Sequence, residues 1–255
     1  MNENLNAVNK KCQACLNGLA LGFDVSMAFQ PIVDIAHNKV FSYEALVRGV
    51  NGESATEVYE KVNDDNLYAF DQACRVIALQ LASNLNITTR LNINFMPNAV
   101  YNPENCIKNT LEIAESLKFP IKNIIFEVIE SEKVVDHAHL LKILNWYKSL
   151  GFKTAIDNFG AGNADLNLIA EFQPQYVKLD LKLISNIDRD IPRQHIVSGV
   201  VSMCKNLNIE IMVGGVETKE ELVVLQDMGI QLFQGYFFAK PSFEAILPGN
   251  EINFI

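Results

Sequence analysis

Apolar residues along this chain recur at two alternating spacings, and the alternation predicts its elements. From Asn66 to Leu85, residues Leu67, Phe70, Ala73, Cys74, Ile77 and Leu81 keep the three- and four-residue spacing of a helix face, and the strand Arg90–Asn94 follows. The unit then repeats. A helix from Pro103 to Leu117 precedes the strand Asn123–Glu127, and one from Asp136 to Leu150, closed by Gly151, precedes Phe152–Asp157. Helices near Ala164–Phe172, Arg193–Leu207 and Lys219–Met228 lead into the strands Tyr176–Leu179, Glu210–Val213 and Gln231–Gly235. Upstream, Ala28–Val33 and Val40–Leu46 flank a turn at Asn38. That connection is too short for the crossover a parallel pair needs, so the two strands are antiparallel. Residues 1 to about 22, with Leu5, Cys12, Leu16 and Leu19 at helical spacing, predict a lead-in helix packed on the domain.

About eight strands alternating with helices fit an open doubly wound sheet or a closed barrel. Polar residues decide between them. Apolar runs break off at Glu44, Asn94, Glu127, Asp157, Lys178 and Gln234, and only a closed ring brings so many strand exits to one mouth. The expectation is an α/β fold, a (β/α)₈ TIM-like barrel with an antiparallel first strand: residues 1–25 as the lead-in and 26–255 as one domain.

Chemistry centres on Lys153–Gly162, where a buried strand ends at Asp157 and Gly160 and Gly162 let the backbone turn. Glu44, Asn94, Glu127 and Asp157 form an all-oxygen donor set suited to a hard cation such as Mg²⁺ or Mn²⁺. Crowded carboxylates raise one another's pKa, and a cation between them relieves the conflict. The four histidines, at 37, 137, 139 and 195, lie away from the strand exits. Lys178 has apolar neighbours and is costly there unless it points into a polar mouth; Asp180 shares its parity and can pair with it. Two roles stay open for Lys178: positioning or deprotonating a water in the mouth, or an exposed edge-strand pair with Asp180.

Composition narrows the partners. A net charge of -9 and a pI near 5.0 oppose binding of a nucleic-acid polymer. No apolar run reaches the roughly 18 residues of a membrane span, and the first residues lack the blocks of a signal peptide, so a soluble cytoplasmic protein without membrane insertion is expected. Cys74, Cys106 and Cys204 sit in apolar or helical sequence as reduced thiols. Cys12 and Cys15 have CxxC spacing, but no second pair or nearby histidine completes a zinc site, and a structural or incidental role is expected.

Ordered motifs then carry a resemblance. Gln30-Pro-Ile-Val-Asp34, Tyr43-Glu-Ala-Leu-Val-Arg48, Leu91-Asn-Ile-Asn-Phe-Met-Pro97, Glu127-Val-Ile-Glu130, Asp157-Asn-Phe-Gly-Ala-Gly162, Val177-Lys-Leu-Asp180, Gly215-Val-Glu-Thr218 and Gln234-Gly-Tyr236 resemble the EAL family. These are bacterial cyclic-di-GMP phosphodiesterases and their degenerate relatives. The resemblance implies a (β/α)₈-like barrel whose active members use two Mg²⁺ or Mn²⁺ ions to hydrolyse cyclic-di-GMP to linear pGpG. By motif, Glu44, Asn94, Glu127 and Asp157 would hold the first metal, and Lys178 would assist the attacking water, with Glu217 the second catalytic position. Arg48 matches the phosphate contact, and Gln30, Leu46, Asp180, Gln234 and Pro241 match other ligand-binding positions. Glu130 matches a glutamate bracing the loop after Asp157, a loop linked in the family to homodimerisation.

Two positions depart from the pattern. Asn158 stands where the family has a second Asp, and Gly214 where Ala-Glu-Gly-Val-Glu carries its first Glu. Both belong, by resemblance, chiefly to the second metal. An amide and a hydrogen replace two anionic ligands, which leaves too little charge to hold two divalent ions about 3.5–4 Å apart. The expected outcome is a degenerate domain that binds cyclic-di-GMP through one metal, a receptor or regulator with little or no hydrolysis. The alternatives are a working phosphodiesterase and a ligand-independent protein-interaction module; a regulatory protein partner fits either degenerate form.

Overall fold

The computed structural model describes residues 21–128, 136–161 and 166–254. In chain order it runs β1 (Val25–Asp34), β2 (Lys39–Gly49), α1 (Ala55–Tyr59), α2 (Leu67–Asn84), β3 (Arg90–Phe95), α3 (Pro103–Cys106) and α4 (Lys108–Ser116). It continues with β4 (Ile124–Val128), α5 (His137–Ser149), β5 (Lys153–Phe159), α6 (Leu166–Phe172), β6 (Tyr176–Leu179) and α7 (Leu181–Ile184). Then come α8 (Ile191–Asn206), β7 (Glu210–Val213), α9 (Lys219–Asp227), β8 (Leu232–Phe233) and β9 (Ser242–Phe243).

The barrel is closed, as expected. Strands β2 to β8 pair in order and in parallel, and β1 joins β8 back to β2, antiparallel to both. The hairpin turns through Asn38 at φ 48°, and a bulge opposite Ile32 and Val33 leaves Phe41 as the extra residue on β2. β9 adds to the free edge of β1, antiparallel, at Ala28 and Phe29.

Parallel strands covered by helices are apolar on both faces, and β4, Ile-Ile-Phe-Glu-Val, is buried at every position. One face packs on the helices. The other fills the barrel with Ile32, Phe41, Ile125, Ala155, Tyr176, Met212 and Leu232, a buried cluster separate from the main core. Strand side chains alternate with period two, so on every one of these strands but β2, where a bulge shifts the parity beyond Phe41, the residue two positions nearer the mouth also points inward. Those residues are Gln30, Glu127, Asp157, Lys178, Gly214 and Gln234. Pairing of Gln30 with Glu44 and of Asn94 with Glu127 brings β2 and β3 into the same layer. The mouth is therefore the next layer of the barrel's own interior packing.

Several elements differ from the periodicity. The helix predicted from Pro103 to Leu117 is interrupted at Ile107, whose N–H lies 3.3 Å from the Pro103 carbonyl. α1 and α7 are too short to leave a periodic signal; α1 is held by a capping box between Ser54 and Glu57. The lead-in helix, Cys12, Cys15 and Glu130 lie outside the described residues. Among the described residues no helix is long and apolar enough to cross a membrane.

Candidate functional site

Glu44 on β2, Glu127 on β4 and Asp157 on β5 place carboxylate oxygens within 4.8 Å of one another. Lys178 sits between them, with its Nζ 2.6 Å from Glu44 Oε2, 3.2 Å from Glu127 Oε2 and 3.5 Å from Asp157 Oδ1. All four side chains are buried. Glu44 also accepts from Asn94 Nδ2 on Oε1 (3.0 Å) and from Gln234 Nε2 on Oε2 (2.8 Å). Glu127 accepts from Asn92 Nδ2 on Oε1 at 2.5 Å.

The acids divide according to their contacts. Burial would raise Glu44, but the adjacent Lys178 charge, with bonds from Lys178, Gln234 and Asn94, outweighs it and holds the carboxyl below its ordinary value. Burial pushes Glu127 up to about 8, Lys178 opposing and the charges of Glu44 and Asp157 adding. Asp157 is raised as well, by burial against the pull of Lys178. Burial disfavours the Lys178 ammonium, yet Asp157, Glu127 and Glu44 together lift its pKa well above the ordinary value.

This donor set fits a divalent cation. It is made of hard oxygens, two of its acids, Glu127 and Asp157, resist ionising in the absence of a cation, and a positive group already lies at its centre. Glu44, Glu127, Asp157 and the Asn94 amide are the residues able to hold Mg²⁺ or Mn²⁺.

The pairing of Lys178 with Asp180 does not form. β6 ends at Leu179, strand parity lapses there, and Asp180 caps α7 by accepting the Lys182 N–H on Oδ1 (2.8 Å). Gln30 is buried and donates to the Ala239 carbonyl at 3.0 Å, tying β1 to the segment after β8. Arg48, half-buried near the end of β2, gives Nη1 to the Val47 carbonyl and pairs with no carboxylate among the described residues. Glu217 is exposed beyond β7, apart from the buried cluster, and its backbone N–H donates to Glu221. Pro241 is half-buried two residues beyond Ala239.

Asn158 is half-buried with φ 57°, a left-handed conformation that asparagine tolerates well. At Gly214 a Cβ would lie 3.4 Å from Lys178 Cε and 3.9 Å from Gln234 Oε1, so a side chain there would enter the mouth. A cavity of about 220 Å³ runs from Glu44, Asn94, Asp157 and Asn158 past Leu46, Tyr59, Phe70 and Met96.

Sequence reasoning missed two features. Asn92 contacts Glu127 from one layer below; its parity with Asn94 was the available signal. Arg75, fully buried on α2, lies among the rings of Phe95, Phe126 and Tyr147, donates to Tyr147 Oη and meets Asp71 Oδ2 at 2.7 Å, an ion pair rather than an aligned hydrogen bond. Asp71 in turn accepts the Met96 N–H, two residues beyond Asn94.

Comparison with known proteins agrees with this architecture. The chain is 50% identical to a standalone versatile EAL protein from Vibrio cholerae O395, solved in a c-di-GMP-bound form, with a TM-score of 0.88 over 92% of this chain and 98% of that one. Klebsiella pneumoniae BlrP1, in a manganese/cy-diGMP complex, superposes with a TM-score of 0.81 at 33% identity over 86% of this chain and 56% of that one. The blue light- and temperature-regulated antirepressor BluF of Escherichia coli (strain K12) is 32% identical over 86% of this chain and 55% of its own length. The probable cyclic di-GMP phosphodiesterase PdeG of the same strain is 30% identical over 63% of this chain and 32% of its own. The chain thus spans about half the length, or less, of these curated relatives. The family model described as EAL domain matches residues 16–241, and the chain belongs to the EAL domain family.

Proposed function

We propose that this EAL domain, residues 26–255, is a cyclic-di-GMP receptor that binds its ligand through one Mg²⁺ or Mn²⁺ ion and turns it over slowly or not at all. The carrying observation is charge. Ionised Glu44, Glu127 and Asp157 with the Lys178 ammonium leave the mouth at a net −2, which one divalent ion neutralises. Asn158 and Gly214, where active relatives are expected to carry acids, add nothing toward a second ion.

The ion would supply Lewis-acid polarisation of a ligand phosphate oxygen. Arg48, without a carboxylate partner, is suited to a second phosphate oxygen. The cavity lined by Leu46, Tyr59, Phe70 and Met96 suits the flat face of a guanine base. These groups engage the ligand in its ground state, so binding outlasts the loss of a two-ion clamp. Losing one such stabiliser is expected to slow turnover by roughly 10²–10³-fold. A cytoplasmic homodimer, contacting through the loop after Asp157 and reporting to a regulatory protein, completes the proposal.

The competing reading is an active phosphodiesterase, favoured by the intact Glu44, Asn94, Glu127, Asp157 and Lys178 set. Calorimetric titration with cyclic-di-GMP in Mn²⁺ buffer separates the two. A saturating isotherm that returns to baseline supports the receptor, heat persisting after each injection supports the enzyme, and absence of binding overturns both in favour of an interaction module. The double change Asn158→Asp with Gly214→Glu is expected to take Mn²⁺ stoichiometry from one to two and to raise hydrolysis.

A further inference from the structure

One layer below the mouth the barrel interior is apolar around Ile32, Ile125, Ala155, Met212 and Leu232, but β2 contributes Ser42 and β3 contributes Asn92 to it. Asn92 is 0% exposed. Its Nδ2 donates to Glu127 Oε1 at 2.5 Å, and its Oδ1 has no partner among the described residues. A buried carbonyl left unpaired costs about 1–3 kcal/mol, which a leucine of similar shape would avoid in such surroundings. Among the described residues the amide's one side-chain hydrogen bond is to Glu127, so whatever offsets that cost comes through the mouth.

The direction of that bond has a consequence. The ionised carboxylate, the form that would hold a cation, only accepts, and the amide's NH₂ end faces it. With Oε1 engaged from below, Oε2 is the oxygen that accepts from Lys178 in the mouth. Glu127 is presented to the mouth by one oxygen, at a fixed angle.

We propose that Asn92 is a positioning residue for the cation site, holding Glu127 in this single-oxygen orientation. The inference rests on the divalent-ion reading of the mouth. Partners that orient metal ligands from behind are typically worth 10–100-fold in metal affinity, and about that loss is expected here.

The test uses the full chain and Mn²⁺ alone, with free Mn²⁺ followed by electron paramagnetic resonance for wild type, Asn92→Leu and Asn92→Ala, and thermal melting of each protein without metal. Both variants are expected to bind Mn²⁺ about 10–100-fold more weakly, while each still unfolds in one cooperative transition without metal. A role confined to packing would instead lower the melting temperature and leave the affinity unchanged. Wild-type binding together with unchanged affinity in folded variants overturns the assignment of Asn92 alone. No Mn²⁺ binding by the wild type overturns the cation reading and this inference with it. If the leucine variant does not fold, the alanine variant, which cannot overpack the layer, decides by the same affinities.

Discussion

Lys178→Met tests whether the ammonium is the mouth's resident counter-charge. The change keeps an apolar chain of similar length and removes the positive group that touches three buried carboxylates at 2.6, 3.2 and 3.5 Å. Removing one partner of a buried ion pair costs about 3–5 kcal/mol. For a chain of this size each kcal/mol moves the melting temperature by about 2–4 °C, so the metal-free variant is expected to melt about 6–20 °C lower. Divalent-ion binding moves the other way. Two unit charges 4 Å apart at an effective dielectric near 20 interact by about 4 kcal/mol, and relief of one third of that repulsion tightens binding about tenfold. Differential scanning calorimetry of the metal-free protein gives the first quantity, and Mn²⁺ titration gives the second. An unchanged metal-free melting temperature, or weaker Mn²⁺ binding in a folded variant, would refute the reasoning.

Three further outcomes are expected. Because Glu127 is raised to about 8 and Asp157 is also raised, the folded metal-free protein holds protons that the unfolded chain has released, so stability is present below about pH 5 and falls as pH rises toward 8; Mn²⁺ stabilisation should grow over the same window, and melts at half-unit pH steps check both signs. Arg75→Met is expected to cost about 3–5 kcal/mol by stranding Asp71, with Asp71→Asn recovering part of it; additivity within about 0.5 kcal/mol in urea melts of the four proteins would refute the coupling. A Cβ at Gly235 would overlap the Val216 backbone, whereas Gly229 has nothing within 4 Å; Gly235→Ala should therefore cost more than the roughly 1 kcal/mol expected at Gly229, and equal melting temperatures would contradict that.

Much of the site was legible because barrel architecture repeats one rule. Polar residues interrupt the apolar runs near the strand exits, so Asn94, Glu127, Asp157, Lys178 and Gln234 announce themselves by position, while Glu44 lies within β2, which runs on to Gly49. What failed was the inference from parity past a strand's end: Asp180 shares parity with Lys178 but belongs to a cap, since β6 stops one residue earlier. Asn92 was hidden for the opposite reason. It lies inside an apolar run, and only the three-dimensional stacking of layers shows that the polar residue beneath the mouth reaches upward to Glu127. Arg75 was masked likewise by the helix periodicity around it, because a guanidinium in an aromatic box is apolar in its surroundings and not in its type.

The closure of the ring also has a consequence in time. Glu44 leaves the ribosome 134 residues before Lys178 and 190 residues before Gln234, the two side chains that share its Oε2. At about 5–20 residues per second, the later of those partners arrives roughly 10–40 s after it. Until Leu232 and Phe233 emerge to join β1, the ring cannot close and Glu44 lacks its bond from Gln234. The functional mouth is thus among the last features of this protein to be assembled during its synthesis.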